Sequence, residues 1–117
     1  LAYSPLGFGV LGGRYLDGHK PEGGRFTDYP EFNLRYRSAE VEVQIKKYKA
    51  LAESHGMTLA ELSLAFVYQH PVLTSNIIGP ANVEQLDQCV KAINIQLSDD
   101  ILSQINTIDA LYPNPCA

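Results

Sequence analysis

The chain has 117 residues, of which 45% are apolar and 19% charged, and a formal net charge of -4. That length fits a single domain, and no apolar stretch approaches the ~18 residues needed to span a bilayer. The negative balance gives no broad positive field, which argues against nucleic acid and membrane as partners. Two cysteines, Cys89 and Cys116, show neither metal-ligand spacing nor a disulfide framework, and the start has no signal-peptide pattern. A reducing cytoplasm without a bound metal is the expected setting.

Leu1 to Tyr3 is short and apolar, and Ser4-Pro5 ends it as the close of a buried strand, because Pro cannot donate to a continuing ladder. Asp17 to Arg37 contains Gly18, Pro21, Gly23, Gly24 and Pro30 without a sustained period, which predicts a long loop. Ser38 caps a predicted helix whose Val41, Ile45, Tyr48 and Ala52 share a face, and Gly56 stands where a left-handed cap belongs. Thr58 and Glu61 form a capping box before a helix carrying Leu59, Leu62, Ala65 and Phe66, which His70-Pro71 ends. Leu73 to Ile78, closed by Gly79-Pro80, reads as a second buried strand. Asn82 and Gln85 repeat the capping pattern before Leu86, Val90 and Ile93. Ser98-Asp99-Asp100 opens a last helix, with Leu97 placed to staple against Leu102. The tail, Tyr112 to Ala117, cannot be helical.

Two strands with helices between them predict an α/β fold with a parallel sheet, and two strands do not complete one. The chain therefore reads as the C-terminal part of a larger α/β domain. Isolated, it should expose apolar faces such as Leu62/Phe66 and Leu86/Val90 and associate with itself.

Ligands of barrels and open α/β sheets bind at the C-terminal ends of strands, where Ser4 to Arg14 and Gly79 to Gln85 both fall. Gly7, Gly9, Gly12 and Gly13 would let backbone N–H groups approach a phosphate, Arg14 adds a guanidinium fork, and the second loop leads into a helix N-terminus. Together they suggest a clamp for dinucleotide phosphates.

"AYSPLGFGVLGGRY" resembles the segment after the seventh strand of the aldo-keto reductases, and "IIGPANVEQLDQCV" the segment after their eighth. With their spacing and the ending "LYPNPCA", these resemble the Tas-type bacterial branch of that family. The resemblance covers all 117 residues as the C-terminal third of a (β/α)8 TIM barrel, with strands 7 and 8 and their helices, the catalytic N-terminal portion being absent. It implies an NADPH-dependent oxidoreductase reducing aldehydes and ketones, this chain supplying the cofactor-binding part, with NADPH and a small carbonyl compound as its partners.

By the same resemblance, Tyr3 stacks on the nicotinamide, Ser4, Pro5 and Leu6 hold the pyrophosphate, and Arg14 and Arg25 lie over the cofactor phosphates. Gly79, Ala81, Asn82 and Gln85 surround the adenosine and its 2′-phosphate, and Gln88 meets adenine. Cys89 departs from the family's usual Asn, and Ala81-Asn82 from its usual Ser, Thr, Lys or Arg. The family's catalytic Tyr, Lys, Asp and His have no counterpart here, so no catalytic residue is assigned. Tyr15, Tyr29, Tyr36, Tyr48 and Tyr112, with His19, His55 and His70, read as structural. Two other readings stand beside the reductase: a nucleotide-sensing partner subunit of the same fold, and a helical interaction module.

Overall fold

The computed structural model describes residues 1–116. Strands β1 (Ala2–Tyr3) and β2 (Asn76–Ile77) pair in parallel, with Ala2 opposite Asn76 and Tyr3 opposite Ile77. The Ala2 N–H extends the pairing by donating to the Ser75 carbonyl at 3.0 Å. The second strand is shorter than its apolar run predicts. Leu73 belongs to the turn after the preceding helix, its N–H bonded to the His70 carbonyl at 3.0 Å, and so cannot join the ladder.

The crossover between the strands carries α1 (Arg25–Asp28), α2 (Ala39–Ser54) and α3 (Leu59–Tyr68). The α2 cap is Ser38, whose hydroxyl accepts from the Val41 N–H, and Gly56 follows at φ +71°. Both halves of the predicted capping box close α3: Thr58 Oγ1 accepts from the Glu61 N–H at 3.1 Å, and Glu61 Oε2 accepts from the Thr58 N–H at 2.8 Å. After β2 come α4 (Val83–Lys91) and α5 (Asp99–Leu111), the latter capped by Ser98. The tail is non-helical through Cys116, and Ala117 lies outside the described residues.

The segment predicted as a long loop, Asp17 to Arg37, carries short helical turns. Single turns of 3₁₀ helix at Leu16–Gly18 and Leu34–Arg37 flank α1. Phe26 is buried among Phe8, Phe32, Tyr15 and Tyr36, with ring centroids 4.9 to 6.4 Å away. Aromatic contacts at irregular spacing hold this segment, so it has no period to read.

Three clusters fill the interior. Leu51, Ala52, Leu62, Ala65, Leu97, Ile101 and Ile105 join α2, α3 and α5, with Leu102 packed against this cluster. Leu62, expected to be exposed, is only 2% exposed because α2 and α5 cover it. A second cluster joins Val10 to Phe26, Val41, Ile45 and Leu59, and a third sets Leu64 against Cys89 and Ala92. On α4 the expected apolar face points to solvent: Leu86 is 44% exposed and Val90 51%, whereas Cys89 is buried.

Candidate functional site

The glycine-rich segment after β1 is a compact turn built on left-handed residues. Ser4 has φ +50°, Gly7 +52° and Gly9 +97°. The Gly7 N–H donates to the Ser4 carbonyl at 2.9 Å, the Gly9 N–H to that of Leu6 at 3.0 Å, and the Gly13 N–H to that of Val10 at 2.9 Å. These three donors, expected to face a phosphate, are used within the turn. The glycines have a different effect. A Cβ on Gly9 would stand 3.1 Å from Cδ of Arg14 and 3.4 Å from the Tyr15 ring, so its absence lets the Arg14 stem lie along the turn.

Beside Arg14 runs a groove of about 700 Å³ that extends from this turn to α4. Of the residues predicted to bind the cofactor, Ser4, Pro5, Leu6, Arg14, Arg25, Gly79, Ala81, Gln85 and Gln88 all line it. Tyr3 and Asn82 do not. Tyr3 is 76% exposed on β1, and Asn82 spends its side chain as the α4 cap, Oδ1 accepting from the Gln85 N–H at 2.9 Å.

The groove's charge is one-sided. It is lined by two arginines and no carboxylate, although the chain as a whole is acidic. Among the described residues neither Arg14 nor Arg25 forms an ion pair, since every such pair involves a lysine. Arg25 is held by stacking, its guanidinium carbon 5.5 Å from the centroid of Phe32, which packs edge-on against Phe8 of the turn at 5.1 Å. Two unpaired guanidinium groups beside an acid-free groove suit a phosphate.

The far end of the groove is apolar. Ala60, Leu64, Ile78 and Cys89 line it, with the Gln85 and Gln88 amides beside them. Burial pushes the Cys89 thiol above its ordinary pKa. Gln88 Nε2 donates to Thr58 Oγ1 at 3.2 Å, which ties α4 to the start of α3. Gln85 Oε1 accepts from the Ala81 N–H at 2.8 Å. Sequence reading missed Phe8, Thr58, Ala60 and Leu64 as lining residues. The capping box marked Thr58, but nothing in the sequence marked its lateral bond to Gln88.

None of the histidines or the tyrosines lines the groove. His19 Nδ1 bonds the Arg14 carbonyl at 2.9 Å, and His55 Nδ1 lies 3.0 Å from the Leu51 carbonyl at the end of α2. A smaller hollow of about 200 Å³, between α2 and the Tyr15 to Lys20 segment, contains none of the predicted site residues. Among the described residues no three potential metal ligands gather, and no helix is long and apolar enough to cross a membrane.

The groove with its two arginines lies at the C-terminal ends of two parallel strands, where α/β proteins place their ligands. The sequence pattern of the Aldo/keto reductase family matches residues 1–111, and the chain belongs to that family. Its fold is a (β/α)8 barrel, and its members are oxidoreductases that generally use NAD(P)H. The chain is 36% identical over 115 residues to Protein tas of Escherichia coli (strain K12), covering 98% of this chain and 33% of that protein. It is equally 36% identical over 115 residues to "Uncharacterized oxidoreductase YrpG" of Bacillus subtilis, covering 98% and 32%. A 32% identity over 112 residues links it to "Putative voltage-gated potassium channel subunit beta" of Schizosaccharomyces pombe, covering 91% and 32%. The chain spans about a third of the length of these relatives.

Proposed function

We propose that this chain supplies the nucleotide-binding part of an NADPH-dependent oxidoreductase that reduces aldehydes and ketones. One observation carries the reading: Arg14 and Arg25, neither in an ion pair among the described residues, line the same groove as Gln85 and Gln88. NADPH, when bound, supplies the hydride for the carbonyl carbon. Arg14 and Arg25 hold the diphosphate, the apolar floor of Ala60, Leu64 and Cys89 packs on the base, and the Gln85 and Gln88 amides meet its edge. No histidine or tyrosine lines the groove, and this reading assigns no proton donor within it.

The test is calorimetric titration of the chain with NADPH, alongside Arg14→Ala/Arg25→Ala. Saturable binding lost in the double variant supports the reading. Binding that the double variant leaves unchanged, or no binding to a folded chain, overturns it.

A second reading is favoured by the relative named as a potassium channel beta subunit. In it the chain belongs to a nucleotide-sensing partner subunit. The same titration would succeed, but carbonyl turnover would be absent from any longer protein that carries the chain.

A further inference from the structure

The smaller hollow, of about 200 Å³, shares no lining residue with the groove and is built differently. Its floor is apolar, since Val10, Phe26, Val41 and Ile45 all line it and are all buried. The rings of Tyr15 and Tyr36 stand beside that floor, their centroids 4.9 and 6.4 Å from that of Phe26. A cavity of about 150 Å³ accepts one benzene ring, so the space suits a single ring and is too small for a nucleotide.

The exposed part of the lining carries the charge. Lys20 and Arg37 both belong to it, and among the described residues neither is in an ion pair. Arg37 is held in place: its Nη1 donates to the Pro30 carbonyl, and its guanidinium carbon lies 5.9 Å from the centroid of Phe26. A guanidinium has further N–H donors beyond that one bond. The one carboxylate in the lining, Glu42, is bonded to Lys46 at 2.8 Å, and Lys46 also pairs with Asp17 at 2.7 Å. His19 commits its Nδ1 to the Arg14 carbonyl at 2.9 Å, which leaves an incoming anion to Lys20 and Arg37. An apolar floor below two cations complements a ligand with an apolar body and one negative group.

We propose that this hollow is a second binding site, which takes a small aromatic carboxylate. The ring lies on Phe26, Val41 and Ile45, and the carboxylate meets Lys20 and Arg37. The site stands whether or not the groove holds a nucleotide.

Amide NMR titration of the chain with benzoate tests it, with benzamide as the neutral isostere and acetate as the anion without a ring. Benzoate should saturate with a dissociation constant of about 1 mM or tighter, shifting the amides of Gly18 to Lys20 and Tyr36 to Ser38. Benzamide and acetate should each bind about tenfold more weakly or worse. Lys20→Glu, at an exposed side chain, should weaken benzoate about tenfold, whereas Lys47→Glu, the same charge change outside the hollow, should stay within threefold. Arg14→Ala/Arg25→Ala should leave benzoate affinity unchanged. No saturation by about 10 mM overturns the proposal, as does equal binding of benzamide or of acetate. Equal losses in the two lysine variants would reduce the effect to net charge, and loss of benzoate in the double arginine variant would put the probe in the groove; either result also overturns it.

Discussion

The Gln44 side chain, 5% exposed, donates from Nε2 to the Ile108 carbonyl at 3.3 Å, and the same nitrogen lies 3.4 Å from the Tyr112 carbonyl. An amide from the middle of α2 thus caps the C-terminus of α5, whose last turn has no basic residue to do so. Gln44→Ala leaves these part-buried carbonyls without their donor, at a cost of about 1 kcal/mol. Urea unfolding should show it, and a loss below about 0.5 kcal/mol, the range of an ordinary surface change, would mean that water caps α5 as well as Gln44 does.

Gly9 and Gly18 separate backbone strain from site geometry. Both are left-handed, at φ +97° and +73°, but a Cβ on Gly9 meets Arg14 whereas one on Gly18 meets nothing within 4 Å. Alanine at either position should cost about 1–2 kcal/mol of stability. Only Gly9→Ala should also weaken nucleotide binding, by displacing the Arg14 stem. Equal nucleotide affinity in the two variants would show that Arg14 does not depend on Gly9.

Arg14→Ala should lower affinity for NADPH and NADH alike by about 1.5–3 kcal/mol, roughly ten- to a hundredfold. Arg14→Lys should recover only part of this, because an ammonium lacks the planar fork. Titration of each variant with both nucleotides is the measurement, and full affinity in Arg14→Ala would place the phosphates elsewhere.

The Tyr48 hydroxyl gives the chain an alkaline limit. Burial, reinforced by Asp109, pushes its pKa up from 10.0 to about 12. A raised pKa means that the folded state resists deprotonation, so this contribution is intact below pH 10 and is lost as pH climbs towards 12. Thermal melts between those values should fall less steeply in Tyr48→Phe than in the unaltered chain. Parallel slopes would show that Tyr48 ionises freely in the fold.

Val83, Leu86, Val90 and Ile93 follow a three-then-four spacing and are 78%, 44%, 51% and 59% exposed. In the isolated chain this stripe should pair with its copy in a second molecule, with Asp87 and Lys91 beside it. Sedimentation should show association that Leu86→Lys/Val90→Glu reduces. A monomer at high micromolar concentration would count against it.

Local chemistry made much of the fold legible. Ser38, Thr58, Asn82 and Ser98 each cap the helix they were expected to cap, because a side chain bonding an N–H three residues on needs no tertiary information. Gln44 was missed because it caps a helix 64 residues away in sequence. The burial of Leu62 and the exposure of Leu86 have the same origin: periodicity finds an apolar face without saying what covers it. In the groove, the residue types at the strand ends pointed to Ser4, Arg14 and Gln85, but the glycine N–H groups looked available only because turn hydrogen bonds cannot be seen in a list of glycines.

The pairing of β1 with β2 joins residues 2–3 to residues 76–77 through two register partners. Closing a loop of that length costs about 4 kcal/mol of chain entropy, and two short strands return little until the helices between them have packed. The contacts among α2, α3 and α5 close shorter loops, so those helices are expected to assemble before the strands meet. On that order the groove, which draws on the ends of both strands, would be among the last features to form. A bound nucleotide would act on the final folding step, slowing the departure of β1 from β2 more than it speeds the assembly of the helices.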